Sequence, residues 1–241
     1  MRSKASLRVL SLNLQQGRPR DQFARGLSQI ARLRPDVVLL QEADRVATAV
    51  DHTSQVARAC GLKHYQFLPG RSTWATILPL LNPRAKRPGE DGTGVGIVSR
   101  FPARWHYHHL KTNRPLARMR NLHVDMDQPR QVLAGTLDVF GQEVTVASTH
   151  LSWHVGVGED QLRQTESFLQ SLPGPWVLGG DFNLRSNRSI WPSLVHGKTY
   201  PADKPRFQLD YIVSYLEACE SSIHHFAFSD HRGVFAVINL D

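Results

Sequence analysis

The sequence predicts an α/β fold in which antiparallel or mixed β-sheets carry helices on their outer sides. Three observations support this prediction: a strand, a helix and a strand follow one another near the N-terminus, a β-hairpin pattern lies mid-chain, and a single amphipathic helix precedes a later strand. With 241 residues, 41% of them hydrophobic, the chain can bury one sizeable core. We therefore expect a single domain that spans residues 1–241.

The N-terminal elements have clear hydrophobic patterns. Residues 7–14 alternate apolar and polar side chains, which predicts a strand that ends near Asn13. Apolar side chains then recur at helical spacing over residues 23–33. The segment at residues 36–40, apolar from Val37 onwards, predicts a buried strand that ends at residues 41–42.

The remaining elements follow from the same criteria. The hairpin is the clearest of them, because residues 131–139 and 143–150 alternate with period two around Phe140-Gly141-Gln142. Helices are predicted at residues 53–60 and 159–172, and further strands at residues 94–99, 176–179, 209–214 and 233–240.

Composition limits the class of protein. Lysine and arginine exceed aspartate and glutamate by 29 − 21 = 8, which favours an anionic partner but fits any enzyme that handles an anion as well as a nucleic-acid binder. The longest apolar runs are strand-sized, so we expect no membrane span, and no signal peptide is recognisable. Cys60 and Cys219 lie far apart without metal-like spacing, and nothing requires an oxidising compartment. We expect a cytoplasmic monomer.

Polar side chains that can perform chemistry stand repeatedly where a predicted strand ends. One such residue is usually a turn former, but six strand ends here carry an acid, an amide or an imidazole. Because a sheet collects neighbouring strand ends along one edge, these side chains can converge on a cleft. Carboxylate and amide oxygens suit Mg²⁺ or Mn²⁺, whereas histidines with cysteines would favour zinc. The residues are Asn13, Glu42, His150, Asp181 with Asn183, Asp210, and Asp230 with His231.

Six short segments resemble, in order, the signature of the endonuclease/exonuclease/phosphatase superfamily of deoxyribonuclease I-like metal-dependent phosphoesterases. The resemblance covers nearly the whole chain, and the ordered set is specific although single pairs such as Gln-Glu are not. It implies a four-layer α-β-β-α sandwich of two mixed sheets with outer helices, an active site at one edge of the sheets, and catalysis with Mg²⁺ or Mn²⁺. The segments are Leu12-Asn13, Leu40-Gln41-Glu42, Ser148-Thr149-His150-Leu151, Gly180-Asp181-Phe182-Asn183, Leu209-Asp210-Tyr211 and Ser229-Asp230-His231.

The resemblance also implies how a metal and a water are held. Glu42 resembles the main metal ligand, and Asn13 and Asp230 complete or position the metal shell. Asp181 is expected to orient or deprotonate the attacking water, while Asn183 holds the water or a phosphoryl oxygen.

Three further residues are assigned to the phosphate in the same way. His231 is expected to contact the scissile phosphate, with Asp210 bonded to its other ring nitrogen. His150 is a second phosphate contact or the acid that protonates the leaving group. The expected reaction is in-line hydrolysis of a phosphate ester by an activated water, without a phospho-enzyme.

The substrate stays open, because the superfamily includes AP endonucleases, deoxyribonuclease I-like nucleases, tyrosyl-DNA phosphodiesterases, deadenylases, sphingomyelinases and inositol polyphosphate 5-phosphatases. The Asn-x-Asp and Gly-Trp-Arg strings of AP endonucleases are replaced by Asn13-Leu14-Gln15 and Arg206-Phe207-Gln208, which argues against abasic-site cleavage. We expect a phosphodiesterase or nuclease acting on nucleic acid. The alternatives are a phosphatase or phosphodiesterase on inositol phosphates or phospholipids, and a non-catalytic phosphate-binding module on the same fold.

Basic and aromatic residues outside the motifs bear on this choice. They are interpreted either as a basic rim with stacking surfaces for bases or as solvated surface loops. The basic residues are Lys111, Arg114, Arg118 and Arg120, and, in a Pro/Gly-rich loop at residues 82–92, Arg84, Lys86 and Arg87; the aromatic candidates are Trp74, Trp105 and Trp153.

Overall fold

The computed structural model describes residues 5–17, 19–46, 50–70, 92–112, 119–120, 123–124, 130–154 and 156–240. Within these residues, helices flank two large β-sheets. The helices are α1 (Arg20–Arg32), α2 (His52–Cys60) and α3 (Val157–Gln170). The strands are β1 (Ser6–Asn13), β2 (Val37–Val46), β3 (Val50–Asp51), β4 (His64–Pro69), β5 (Gly92–Ser99), β6 (Ala103–His109), β7 (Met119–Arg120), β8 (His123–Val124), β9 (Gln131–Val139), β10 (Gln142–His150), β11 (Trp176–Asp181), β12 (Asp210–Val213), β13 (Ala218–His224) and β14 (Gly233–Asn239).

Both large sheets are mixed, as the sequence predicts. The first has seven strands in the order β13-β14-β1-β2-β5-β4, with β3 paired to β2, and the second has five in the order β12-β11-β10-β9-β6. In the first sheet β1 and β2 are parallel, in the second β10 and β11 are parallel, and the other described pairs are antiparallel. Strands β7 and β8 form a small antiparallel ribbon.

Three apolar clusters stack the elements into four layers. The first cluster fills the space between the sheets, where Leu39 of β2 and Val146 of β10 are fully buried. The second joins α1 and α2 to the outer face of the first sheet through Ile30 and Val56, and the third joins α3 to the outer face of the second sheet through Leu162. Burial of apolar surface on both faces of both sheets stabilises this arrangement. The predicted four-layer α-β-β-α sandwich is confirmed.

Local chemistry explains where α2 begins and ends. The Asp51 side chain accepts a hydrogen bond from the Ser54 backbone N–H at the N-terminus. Gly61 ends the helix with φ +68°, a left-handed conformation that glycine adopts without a Cβ penalty. Among the described residues, no helix combines the length and the apolar character that crossing a membrane requires.

The structure differs from the predicted elements in two respects. Strand β2 continues beyond residues 41–42 to Val46, through a bulge between Leu40 and Ala43 where the pairing with β5 shifts. Besides the two-residue strands β3, β7 and β8, strands β4, β6 and β13 are not predicted, because they carry no hydrophobic pattern. Strands β4, β6 and β13 lie at sheet edges, so most of their side chains are only partly covered.

The proposed basic rim is only partly within the described residues. Lys111 is exposed, as a rim residue would be. Trp105 is partly buried, packs against the cluster between the sheets and lies over Gly135 of β9, and it does not line the cleft, so it is a packing residue rather than a stacking surface beside the site. The residues Arg84, Lys86, Arg87, Arg114, Arg118 and Trp74, and the side chain of Arg120, lie outside the described part of the chain.

Candidate active site

The eight candidate residues lie at one edge of the sandwich. Parallel β1 and β2 end side by side, with Asn13 opposite Gln41, and parallel β10 and β11 end with His150 opposite Asp181. Antiparallel β12 begins beside Asp181, and β14 begins shortly after the Asp230-His231 pair. Six of the eight line one cleft of about 460 Å³, namely Glu42, His150, Asp181, Asn183, Asp230 and His231. Asn13 and Asp210 lie behind these side chains and bond to them.

Asn13 connects the two sheets at this edge. Its Nδ2 donates to Oε1 of Glu42 at 3.3 Å and to Oδ2 of Asp181 at 3.1 Å. Its Oδ1 accepts from the Gln15 backbone N–H at 2.9 Å, which fixes the orientation of the amide. Gln15 in turn accepts from the backbone N–H of Asp230 through Oε1 at 2.9 Å. Gln15, which stands where AP endonucleases have the Asp of Asn-x-Asp, therefore links the loop that contains Asp230 to the end of β1.

The bulge in β2 aims Glu42 into the cleft. Glu42 has φ +48°, a left-handed conformation that is uncommon for a residue with a Cβ. The preceding residue, Gln41, is fully buried and donates through Nε2 to Oγ of Ser148 on the opposite sheet at 3.0 Å. Ser148 itself donates to the Leu40 carbonyl at 2.9 Å. These buried hydrogen bonds fix how the two sheets meet immediately behind Glu42.

Two glycines before Asp181 let the chain pack closely. A Cβ at Gly179 would lie 2.6 Å from Cδ1 of Leu39, and a Cβ at Gly180 would overlap the Thr149 carbonyl oxygen. Each glycine is needed for a close approach, the first between the sheets and the second within its own sheet. The Gly-Gly pair thus lets β11 approach β2 of the first sheet and β10 of its own sheet immediately before Asp181.

His231 and Asp210 form a buried dyad. His231 Nδ1 and Asp210 Oδ2 are 2.9 Å apart, and the Tyr200 ring lies against the imidazole with ring centroids 4.7 Å apart. His231 Nε2 lies 3.6 Å from Oδ2 of Asp181. The imidazole therefore sits between two carboxylates with one nitrogen towards the cleft.

Asn183 and His150 form a second pair on the other side of Asp181. The Asn183 side-chain amide donates to His150 Nε2 at 3.2 Å and to the Leu151 carbonyl at 3.0 Å. The Asn183 backbone N–H donates to Asp181 Oδ1 at 2.9 Å, and His150 Nε2 lies 3.5 Å from Asp181 Oδ2. Asp181 is thus the centre of the site.

Burial and charge shift the protonation of the central groups. Burial raises the pKa of Asp181 from 3.8 to about 7, although His231 opposes the shift. Burial alone would lower the pKa of His231, but the charges of Asp210 and Asp181 outweigh it and raise that pKa to about 10. His231 is therefore held as an imidazolium facing a buried carboxyl group.

The surrounding groups are shifted by the same forces. Burial raises the pKa of Glu42, and the nearby charge of Asp230 raises it further. Burial, followed by the positive charges of Arg130 and His231, lowers the pKa of His150 well below 6.5. A neutral His150 agrees with its Nε2 accepting a hydrogen bond from Asn183.

Two groups of side chains at the edge could hold a cation. Donor atoms of Asp181, Asp210 and His231 lie within 4.8 Å of one another. Several of these atoms are already committed, since His231 Nδ1 bonds to Asp210 and both Asp181 oxygens accept hydrogen bonds. Glu42 and Asp230 are the other carboxylates of the cleft, and the charge of Asp230 contributes to the raised pKa of Glu42, an effect that a nearby divalent cation would oppose.

The cleft also contains residues that the strand-end pattern did not identify. Arg130 precedes β9, and Tyr200 comes from the loop before β12. Trp153, a candidate stacking surface in the sequence, lines the same cleft. Arg130 and Tyr200 have no motif of their own, and only the packing of loops against the sheet edge brings them to the site.

The fold and the site define a deoxyribonuclease I-like sandwich with an acidic and histidine-containing cleft at its sheet edge. Similar solved structures include an endonuclease/exonuclease/phosphatase from Beutenbergia cavernae DSM 12333 (21% identity, 98% of this chain and 72% of that chain, TM-score 0.67). A family protein from Leptotrichia buccalis C-1013-b (15%, 97% and 100%, TM-score 0.68) and D. rerio TDP2 complexed with single strand DNA product (18%, 98% and 99%, TM-score 0.62) are also similar. No curated protein matches the chain.

The sequence itself matches a family description. The model of the Endonuclease/Exonuclease/phosphatase family matches residues 10–231. The chain belongs to this family, as the six ordered segments predict.

Proposed function

We propose that this protein is a metal-dependent phosphodiesterase that hydrolyses a phosphate ester of nucleic acid with an activated water. The observation that carries the proposal is the buried His231–Asp210 dyad beside Asp181 in an open cleft. The family description names endonucleases, exonucleases and phosphatases, all of which hydrolyse phosphate esters. The similar fold of D. rerio TDP2, whose structure contains a single strand DNA product, favours nucleic acid within that range.

His231 is the group that we assign to the phosphate. Its Nδ1 is bonded to Asp210, so Nε2 is the nitrogen that faces the cleft. An imidazolium fixed in this position neutralises negative charge that develops on a phosphoryl oxygen, and it does so without reorganisation because Asp210 already holds it.

Asp181 is the group that we assign to the water. It lies between the two histidines and next to Asn183, so one oxygen can accept a proton while neighbouring donors hold its carboxylate in place. Asn183 holds the water or a phosphoryl oxygen. The lone pair of His150 Nε2 is used by Asn183, and we therefore assign His150 to holding Asn183 rather than to protonating the leaving group.

Glu42 and Asp230, with Asn13 aligning Glu42, are the residues that we propose hold Mg²⁺ or Mn²⁺. Their oxygen donors suit these hard cations, and the pKa of Glu42, raised by burial and further by the charge of Asp230, fits a site that would take up positive charge. When bound, the ion supplies positive charge that stabilises the phosphoryl oxygens during the displacement.

The test is a panel assay of the purified protein with Mg²⁺ or Mn²⁺ and after chelation with EDTA. The substrates are plasmid DNA, single-stranded and abasic DNA, 5′-phosphotyrosyl DNA, RNA, inositol phosphates and sphingomyelin. We expect cleavage of a nucleic-acid phosphodiester that EDTA abolishes and that Asp181→Asn lowers by about 10²-fold or more.

The matched control is Asp138→Asn at the opposite end of the second sheet. Asp138 accepts a hydrogen bond from the Gly141 N–H in the hairpin turn, and asparagine keeps an oxygen for it, so activity should be retained. Cleavage of only inositol phosphates or sphingomyelin would contradict the nucleic-acid substrate and assign the enzyme to those phosphate esters instead. Absence of turnover on every ester, with phosphate binding retained, would replace the enzyme by a binding module.

A further inference from the structure

Trp153 is an exposed aromatic side chain in the wall of the cleft. About half of its surface, 52%, is open to solvent. Other large hydrophobic side chains have similar or greater exposure. Of the exposed large hydrophobic side chains in the described residues, only Trp153 lines the cleft that contains His150, Asp181 and His231. Exposure of a single aromatic side chain is common on protein surfaces, so it is the place of Trp153 in the wall of this cleft that makes its indole available to a bound substrate.

The backbone around Trp153 is held firmly to the catalytic strand ends. The Leu151 N–H donates to the Asp181 carbonyl at 3.0 Å, and the Leu151 carbonyl accepts from Asn183. The buried Ser152 N–H donates to Oε1 of Gln161 on α3 at 2.8 Å. The position of Trp153 relative to Asp181 is therefore set by the same hydrogen bonds that build the site.

The ring of Trp153 is also oriented. It stacks on the imidazole of His154 with ring centroids 4.0 Å apart and an interplanar angle of 27°. The His154 N–H donates to Ser152 Oγ at 3.2 Å, and the His154 carbonyl accepts from the first turn of α3. The indole is thus a flat surface supported from one side, which is the form of a platform for a second flat ring.

We infer that Trp153 stacks on a nucleobase attached to the phosphate that is cleaved, so that the substrate is an unpaired nucleotide in a single strand or at a frayed end. The inference rests on the proposed function and names its substrate class. A base inside a duplex has neighbours on both faces, whereas an unpaired base has a face available for an indole. Inositol phosphates and phospholipid head groups have no aromatic ring to place there.

The experiment compares two short single-stranded oligonucleotides that differ by one base. One has a normal nucleotide at the scissile phosphate, and the other has an abasic spacer there. We expect Trp153→Ala to lower kcat/KM about five- to hundredfold on the normal strand, which corresponds to about 1–3 kcal/mol at 1.4 kcal/mol per tenfold, and to leave the abasic strand unaffected. Annealing a complementary strand should lower the wild-type rate.

Trp153→Phe separates stacking from structure. Phenylalanine keeps an aromatic face, so most of the activity should remain. In EDTA, which prevents turnover, the single strand should quench indole fluorescence of the wild type and not that of Trp153→Phe. Tyr107→Ala removes an exposed aromatic ring on edge strand β6, outside the cleft, and should change neither readout.

The outcomes separate this inference from the proposed function. Equal losses on the normal and abasic strands, or no loss for Trp153→Ala, would overturn the stacking role while oligonucleotide cleavage upheld the proposed function. A wild-type protein that cleaves no oligonucleotide would overturn both.

Discussion

At the residue scale, a substitution in the His231–Asp210 dyad can measure the contribution of a single buried charge. Asp210→Asn keeps an oxygen that accepts from His231 Nδ1 but removes the negative charge beside the imidazole. We expect kcat to fall about 10²–10⁴-fold with a smaller change in KM, because the charged imidazole matters most when charge builds up on the phosphate. Steady-state kinetics on the best substrate check this. An unchanged kcat would remove Asp210 from its positioning role.

His52 should make stability depend on pH. It is buried, its Nδ1 accepts from the Asp44 N–H at 3.0 Å, and burial lowers its pKa from 6.5. The unfolded chain therefore takes up the proton at a higher pH than the folded protein does. Stability contributed by neutral His52 is complete above the unfolded value and declines as pH falls through 6.5 towards the lowered folded value.

Urea denaturation at about pH 8 and about pH 5.5 measures the effect. The wild type should lose more free energy of unfolding between these two conditions than His52→Gln does. His196→Gln, at an exposed position, controls for the removal of a histidine. Parallel losses in the wild type and His52→Gln would show that His52 is not the group responsible.

At the scale of elements, the hydrogen bonds between β2 and β10 explain how two separate sheets present one site. Ser148→Ala removes the acceptor of the Gln41 amide and the donor to the Leu40 carbonyl in a fully buried position. We expect a loss of about 1–3 kcal/mol in the free energy of unfolding. Urea denaturation tests this, and Ser221→Ala on exposed edge strand β13 should change stability by less than about 0.5 kcal/mol.

The elements that the sequence predicts are those whose pattern reflects burial. β1, β9, β10 and β14 have faces in contact with the core, and their apolar residues repeat accordingly. Edge strand β13 has the sequence Ala-Cys-Glu-Ser-Ser-Ile-His. It is held in the sheet by backbone pairing to β14 rather than by a buried face. The continuation of β2 beyond Glu42 is not predicted for a related reason, since the bulge between Leu40 and Ala43 breaks the alternation of side chains.

At the scale of the whole molecule, the excess of positive charge predicts salt-sensitive activity. Lysine and arginine number 29 and aspartate and glutamate 21, a difference of 8. If a single strand contacts two or three phosphates, kcat/KM should fall roughly five- to twentyfold between about 50 and about 200 mM NaCl. A small phosphodiester with one charge is the control and should respond less. Insensitivity of the oligonucleotide reaction to salt would contradict phosphate steering.

In the structure all eight residues of the strand-end pattern lie at one edge of the sandwich, because neighbouring strands of the two sheets begin or end there. The pattern does not identify Arg130 or Tyr200, whose approach to the cleft depends on loops. It also leaves three tryptophans as equal candidates. Only the structure separates Trp105, which is partly buried against the cluster between the sheets, from Trp153, which lines the cleft.

The Asn13 amide joins carboxylates that are 29 and 168 positions away in the chain, and one of them belongs to the other sheet. A molecule in which the two sheets have not packed against each other therefore holds an incomplete set of reacting groups. We expect hydrolysis to be lost when the two sheets separate during denaturation, even while each sheet keeps its strands. Catalytic rate then serves as a reporter of the last long-range step of folding, which spectroscopic signals of secondary structure do not single out.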